Sequence, residues 1–339
     1  MAKRFFLMLA QKLKNQDVRS WFWSKKLDGN RAYFDGGVTR GMLVRDIPWA
    51  NTQKDHPNWR DARSTGLWSR YCKPIFAPNY WLDQLPQIPL DGELYGESWQ
   101  TNQATVKDRE PGSGWSKVQY HVFESPRYST VFANGQLEEA NCTKKFVDIV
   151  PWLEGRVDPA LLHGQDRLFR ETVLFLDKLE RNSVLHIVPQ TRVLSPTTLE
   201  SIFNNYVESG GEGLMLRSPS TYYECTRSKI LLKMKASNDA EGTVIGFKWG
   251  EETDKGSKLL GMLGSLTVKF GSIEFQLSGF TEQERTMTVV DTTRPGQVVS
   301  DEVESVHFPR GSVVTFTYRE LSDDGKPKEA RYLRKRGEE

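Results

Sequence analysis

Apolar and polar positions alternate over residues 118–123, and apolar-rich runs over 229–235, 242–248, 266–270, 273–277 and 313–318 also read as strands. The period changes to that of a helix over 166–181, where Leu168, Phe175, Leu176 and Leu179 are spaced along one face. It does so again after Ser195-Pro196, where Leu199, Ile202, Phe203 and Tyr206 share a side and Gly210-Gly211 closes the element. A short helical lead is expected over 7–13. Two stretches share a design in which apolar residues flank Asp-Gly: Trp21-Phe22-Trp23 to Phe34 around Asp28-Gly29, and 90–95 around Asp91-Gly92. Each is read as strand, turn, strand, since Asp bonds local backbone and Gly tolerates positive φ. The stretch 36–66 lacks a period and is expected to be a long loop, of the kind that is often functional. Ser237-Asn238-Asp239-Ala240 reads as a hinge, after which short strands separated by turns suggest a small β-barrel. The expected organisation is an α+β domain with antiparallel sheets over 1–236 and an all-β domain over 237–339.

Composition narrows the function only slightly. A chain of 339 residues is long enough for about two domains. Its 46 basic and 44 acidic residues give a formal charge of +2, so a nucleic-acid surface must come from local patches rather than a global field. Cys72, Cys142 and Cys225 lie far apart without a C-x-x-C pair, which argues against a disulfide framework or a cysteine zinc site and fits a reducing cytoplasm. The apolar run over 5–10 is too short for a signal-peptide core, and no stretch is long enough to span a membrane. The five histidines show no metal-ligand spacing, and a G-x-x-x-x-G-K-[ST] phosphate loop is absent.

The chemistry concentrates in Lys26-Leu27-Asp28-Gly29-Asn30-Arg31. Between two aromatic runs, burial is expected to disfavour the ammonium of Lys26 and make it a usable amine nucleophile, with Arg31 facing the same pocket. Glu93 is a hard oxygen ligand suited to Mg²⁺ or to a ribose hydroxyl. Glu212 stands between glycines at the mouth of an apolar strand. Lys233 and Lys235 share a face of their strand, and two like charges side by side invite an anion between them.

Taken in order, Lys26 to Arg31, Trp68-Ser69-Arg70, Leu90 to Leu94, the strand ending at Phe123, Glu212 to Arg217 and Leu232 to Lys235 resemble the motifs of the covalent nucleotidyltransferases. Within these, the chain resembles the ATP-dependent DNA ligases of the minimal viral and bacterial kind. Tyr222 to Ser228 and Phe275 to Thr281 add to the ligase resemblance. It implies a nucleotidyltransferase (adenylation) domain followed by an OB-fold domain, ATP and Mg²⁺ or another divalent cation as cofactors, and nicked duplex DNA as partner. By the same resemblance Lys26 is the adenylated residue, Glu93 touches ribose or metal, Glu212 is a metal carboxylate and Phe123 stacks on adenine. Arg31, Arg70, Lys233 and Lys235 hold phosphates.

Arg70, Arg227 and Lys229 are the DNA-binding candidates on the first domain, and Lys255, Lys258 and Lys269 on the second, which would close over the nick from a hinge near Asp239. The expected protein is a monomer in the cytoplasm, away from membranes, with no protein partner to be inferred. Three departures stand out: the short segment before Lys26, the lengthened link over 39–66, and a C-terminal run, 326–334, without a clear R-x-D-K. RNA ligases and capping guanylyltransferases, which share the lysine motif, remain alternatives.

Overall fold

The computed structural model describes residues 6–51, 61–96, 99–132, 149–163, 165–236, 238–250, 259–260, 262–286, 307–322 and 324–335. The chain divides into two compact units, Met1–Met234 and Lys235–Glu339. In chain order the strands of the first are β1 (Leu9–Lys12), β2 (Phe22–Lys25), β3 (Asn30–Asp35), β4 (Leu67–Ser69), β5 (Pro74–Ile75), β6 (Pro89–Tyr95), β7 (Gln119–Glu124), β8 (Leu185–Ile187), β9 (Thr191–Arg192), β10 (Gly213–Arg217) and β11 (Arg227–Lys235). They form a sheet of order β1-β11-β10-β2-β9 and a sheet of order β5-β4-β3-β6-β7-β8. β1–β11 and β7–β8 pair in parallel, whereas β2–β10, β2–β9, β3–β4, β3–β6, β4–β5 and β6–β7 pair antiparallel.

The helix Pro196–Glu208 follows the sequence pattern. Ser195 caps it by accepting from Thr198 N, and Leu199, Ile202, Phe203 and Tyr206 all pack with Leu214, Leu216 and Leu232 of the first sheet. The helix expected over 166–181 is shorter, Phe169–Leu176. Its Phe175 and Leu176 pack on the core of the second sheet, among Ala32, Leu94, Tyr120, Val122 and Trp81.

Three local expectations are overturned by long-range packing. The stretch 7–13 is not helical: β1 runs parallel to β11, with Leu9 N donating to Thr226 O and Leu13 N to Lys233 O. Leu7 and Met8 enter different clusters, as neighbours on an extended chain do. Asp28-Gly29 is not a hairpin turn, because β2 and β3 belong to different sheets and the segment between them carries the chain across. Gly29 is needed there for close approach: a Cβ would lie 2.2 Å from Leu94 O and 2.9 Å from Glu93 Cγ. Asp91-Gly92 is the middle of β6, not a turn, and a Cβ on Gly92 would meet His121 O of the adjacent strand at 2.6 Å.

The stretch after β3 has no strand among its described residues, yet it is well packed. Val44, Ile47 and Trp49 are buried with Tyr33, Trp68 and Phe132. Asp35 Oδ2 accepts from Thr39 Oγ1 at 2.5 Å and Trp68 Nε1 at 2.9 Å, and the hydroxyls of Thr39 and Ser64 are 2.9 Å apart, tying the two ends of the loop together.

The second unit holds β12 (Asn238–Trp249), β13 (Leu263–Phe270), β14 (Ile273–Leu277), β15 (Val313–Tyr318) and β16 (Arg331–Lys335), ordered β14-β13-β12-β15-β16 and antiparallel throughout. Tyr332 N donates to Ser278 O, just beyond β14, so the two ends of the sheet meet and close it into a barrel around Val244, Leu266, Val268, Phe308 and Phe316. Asn238, Asp239 and Ala240, expected to be a hinge, pair with Tyr318, Thr317 and Phe316 as the first rungs of β12; Ser237 lies outside the described residues.

Candidate active site

β2 ends at Lys25 and its partner β10 begins at Gly213, with Leu214 opposite Lys25. Lys26 N donates to Gly213 O at 2.8 Å. This rung places the two side chains that flank it, Lys26 and Glu212, together across 186 residues of sequence: Lys26 Nζ donates to Glu212 Oε2 at 2.5 Å. Their side chains are 21% and 6% exposed, so the pair is largely withdrawn from water. Gly211 is required by Tyr206, whose ring would lie 2.4 Å from a Cβ there.

The second sheet supplies Arg31, Asp91, Glu93 and Phe123. Arg31 lies opposite Glu93 in the β3–β6 register. Its guanidinium is held by Asp91, fully buried, through Nε to Oδ1 and Nη2 to Oδ2, each at 2.5 Å. Tyr223 OH also donates to Asp91 Oδ2 at 2.5 Å and itself accepts from Met8 N at 3.0 Å, which ties β1 to this network. Burial alone would lower the Arg31 pKa, but Asp91 more than offsets it and holds it above the ordinary arginine value. The same guanidinium lies 4.6 Å from the centroid of the half-buried Phe123 ring.

Burial pushes the Glu93 carboxyl up to about 7, against the pull of Arg31 and Lys26 and with the push of Glu212 and Asp91. These groups feel one another because Glu93 packs against the segment between β2 and β3, its Cγ 2.9 Å from where a Cβ on Gly29 would lie. Such a carboxyl holds its charge more readily once a cation binds beside it.

The other candidates lie elsewhere. Arg70 follows β4, is exposed, and rests its guanidinium 4.6 Å from the centroid of the Tyr71 ring. Lys233 is opposite Lys12 on β11, and Lys235 opens the second unit, where its Nζ lies 3.4 Å from Glu329 Oε2. Arg227 and Lys229 are both exposed, on one face of β11, with Ser228 buried between them. Lys269 is exposed on β13, while Lys255 and Lys258 lie outside the described residues. Asp91 was legible only as a turn residue, and its role in setting Arg31 appears first in the structure.

Three comparisons with known proteins bear on the chain, one on its C-terminal part and two on nearly its whole length. A family profile described as the DNA ligase OB-like domain matches residues 256–336. Over 332 residues the chain is 25% identical to a DNA ligase of Haemophilus influenzae, an alignment that covers 97% of this chain and 92% of that protein. A solved structure from a study of DNA binding with a minimal scaffold by Lig E DNA ligases aligns with a TM-score of 0.66 and 26% identity, covering 97% of this chain and 98% of the other.

Proposed function

We infer that this chain is a minimal ATP-dependent DNA ligase, built from a nucleotidyltransferase unit and an OB-like unit, that seals nicks in duplex DNA. The observation that carries the reading is the placement of Lys26 against Glu212 where the chain passes from the first sheet to the second, with Glu93 packed against that same crossing segment at Gly29. With its proton passed to Glu212, the Lys26 Nζ lone pair attacks the α-phosphorus of ATP; the bond to the β-phosphate oxygen breaks, pyrophosphate leaves, and AMP stays on the amine as a phosphoramidate. An oxygen of the 5′-phosphate at a nick then attacks the AMP phosphorus, the P–N bond breaks, and Lys26 is returned as the amine. Finally the 3′-hydroxyl loses its proton and attacks the 5′-phosphorus, joining the strands and releasing AMP.

Each neighbouring group has a part in this reading. Glu212 orders the amine before attack. Phe123 offers a face to the adenine, and Arg31, fixed by Asp91, sits beside it. Glu93 and Glu212 are oxygen ligands of the type Mg²⁺ takes one or two of, completing its shell with phosphates and water. When bound there, the cation neutralises charge on the transferred phosphate. Lys233 and Lys235 are assigned to phosphate, and Arg70, Arg227 and Lys229 to DNA. Among the described residues no helix is long and apolar enough to cross a membrane; the protein is read as a cytoplasmic monomer.

Two predictions follow from these assignments. Phe123→Ala is expected to raise the apparent KM for ATP by about tenfold or more, since stacking on an aromatic ring contributes roughly 1–3 kcal/mol per base, whereas Phe123→Trp keeps it near wild type. Equal KM values for wild type and the alanine variant would return Phe123 to a packing role. In the full chain, Arg227→Ala combined with Lys229→Ala is expected to weaken nick binding and reduce the salt dependence by about two counterions; an unchanged slope would take both residues off the DNA.

The function itself is tested by incubating the chain with α-labelled ATP or GTP and with nicked DNA or nicked RNA duplexes. Label from ATP and sealing of DNA are expected. Label from GTP alone would favour the capping reaction, and sealing of RNA alone an RNA ligase.

A further inference from the structure

One arm of the long stretch between β3 and β4 ends on the turn that carries Arg70. The two arms of the stretch pair with each other: Gly41 N donates to Ser64 O at 2.8 Å, Ser64 N to Met42 O at 2.8 Å and Val44 N to Ala62 O at 2.9 Å. From this ladder the first arm runs through buried Val44, Ile47 and Trp49. The Trp49 ring meets that of Trp68, on the strand leading into the turn, edge-on with centroids 5.7 Å apart. Two residues on, the buried Asn51 reaches the turn itself. Its backbone N donates to Cys72 O at 2.9 Å, and its Nδ2 donates to Tyr71 O at 3.1 Å.

The turn holds one residue in an uncommon backbone conformation. Cys72 has a φ of 58°, in the left-handed region that residues with a Cβ seldom adopt, and such a conformation persists only where its surroundings over-determine it. From within, Ser69 closes the turn: its O accepts from Cys72 N at 2.9 Å and its Oγ from Lys73 N at 3.1 Å. From outside, Asn51 takes the carbonyls of Tyr71 and Cys72. The hold passes to Arg70 through Tyr71, both of them exposed. The Arg70 guanidinium rests 4.6 Å from the Tyr71 ring centroid, and its Nη2 donates to the Tyr71 hydroxyl at 2.5 Å. Fixing the Tyr71 backbone therefore fixes the ring on which the cation is presented.

We propose that the arms 36–51 and 61–66 brace the turn between β4 and β5, and that Asn51 is a positioning residue that sets Arg70 against a DNA phosphate. The inference rests on the assignment of Arg70 to DNA under the ligase reading. An arginine on an unbraced turn must order that turn when DNA binds, at a cost in affinity, whereas a braced turn is ordered beforehand. Asn51 itself touches no substrate, and its effect on DNA runs through Arg70.

The test is binding of a non-sealable nicked DNA duplex, across a salt series, by the full chain and by Asn51→Ala, Arg70→Ala and the two combined. Arg70→Ala is expected to weaken binding by about tenfold, as for a lost hydrogen bond to a charged group, and to lower the salt slope by about one counterion. Asn51→Ala is expected to weaken it by about fivefold, the range of one neutral hydrogen bond, and to lower the slope as well. Asn51 carries no charge, so the slope falls on its removal only if a cation has left a phosphate. With Arg70 already gone, removing Asn51 is expected to change neither quantity. If the alanine variant does not melt cooperatively, Asn51→Leu, which keeps the bulk and has no donor, carries the same comparison. Equal losses on removing Asn51 from wild type and from Arg70→Ala, or no loss from either, would overturn the proposal. Wild-type affinity and slope in Arg70→Ala would instead take Arg70 off the DNA, and with it the assignment on which the proposal rests.

Discussion

Lys26→Arg is expected to reduce labelling of the protein by ATP to background while leaving the fold intact. A guanidinium stays protonated at any pH the protein survives and has no lone pair to offer the α-phosphorus. It can still reach Glu212 and keep the ion pair that now holds Lys26. The melting temperature should therefore stay near that of wild type while the chemistry disappears. Lys26→Ala removes the nucleophile too, but it also leaves Glu212, only 6% exposed, without its cation, and should cost stability as well. Thermal melting beside a denaturing gel of the labelled protein separates the two effects. Labelling of either variant at a wild-type rate would move the nucleophile elsewhere.

The second large effect is expected at Asp91. Asp91→Ala leaves the Arg31 guanidinium, 18% exposed, without its bidentate partner and takes the acceptor from Tyr223. Breaking a buried pair by removing one member costs about 3–5 kcal/mol, which lowers the melting temperature by on the order of 10 °C in a unit of this size. Because the freed Arg31 no longer lies over Phe123, the KM for ATP should rise in the same variant. Adding Arg31→Met to Asp91→Ala removes the stranded charge and should restore much of the stability without restoring activity. If Asp91→Ala melts like wild type, the ion pair is not what holds this edge of the site. Tyr223→Phe, which removes one hydrogen bond, should cost only about 1 kcal/mol.

How legible these features were in the sequence depended on the range of the interactions behind them. The helix Pro196–Glu208 carries its own cap and stripe, and the strands over 266–270, 273–277 and 313–318 are bounded by their own turns, so local pattern located them. The α+β unit followed by a β-barrel unit, and the resemblance to DNA ligases, were legible for a related reason: the motifs fall on strand ends and in strands. The lead over 7–13 misled because its partner is β11, more than 200 residues away, and nothing local announces a parallel pairing.

Asp-Gly misled twice, because each glycine answers to a neighbouring strand and not to a turn. Backbone oxygens of Leu94 and His121 approach Gly29 and Gly92 too closely for any side chain. Within the site, Lys26 and Glu212 were each visible, but their contact needed the β2–β10 rung. Asp91 passed as a turn residue, although strict alternation from Glu93 would have placed it on the same face as Glu93.

Under the proposed reaction Lys26 is a carrier that takes AMP from ATP and gives it to a nick. The most direct measurement begins with wild-type chain labelled from α-labelled ATP and freed of nucleotide. It is then mixed with excess nicked duplex DNA and Mg²⁺ in a single turnover. Label is expected to leave the protein, appear briefly on the DNA 5′-end and end as free AMP, with one strand joined for each AMP released. Label that stays on the protein while the DNA remains nicked, or sealing that proceeds without loss of label, would contradict it.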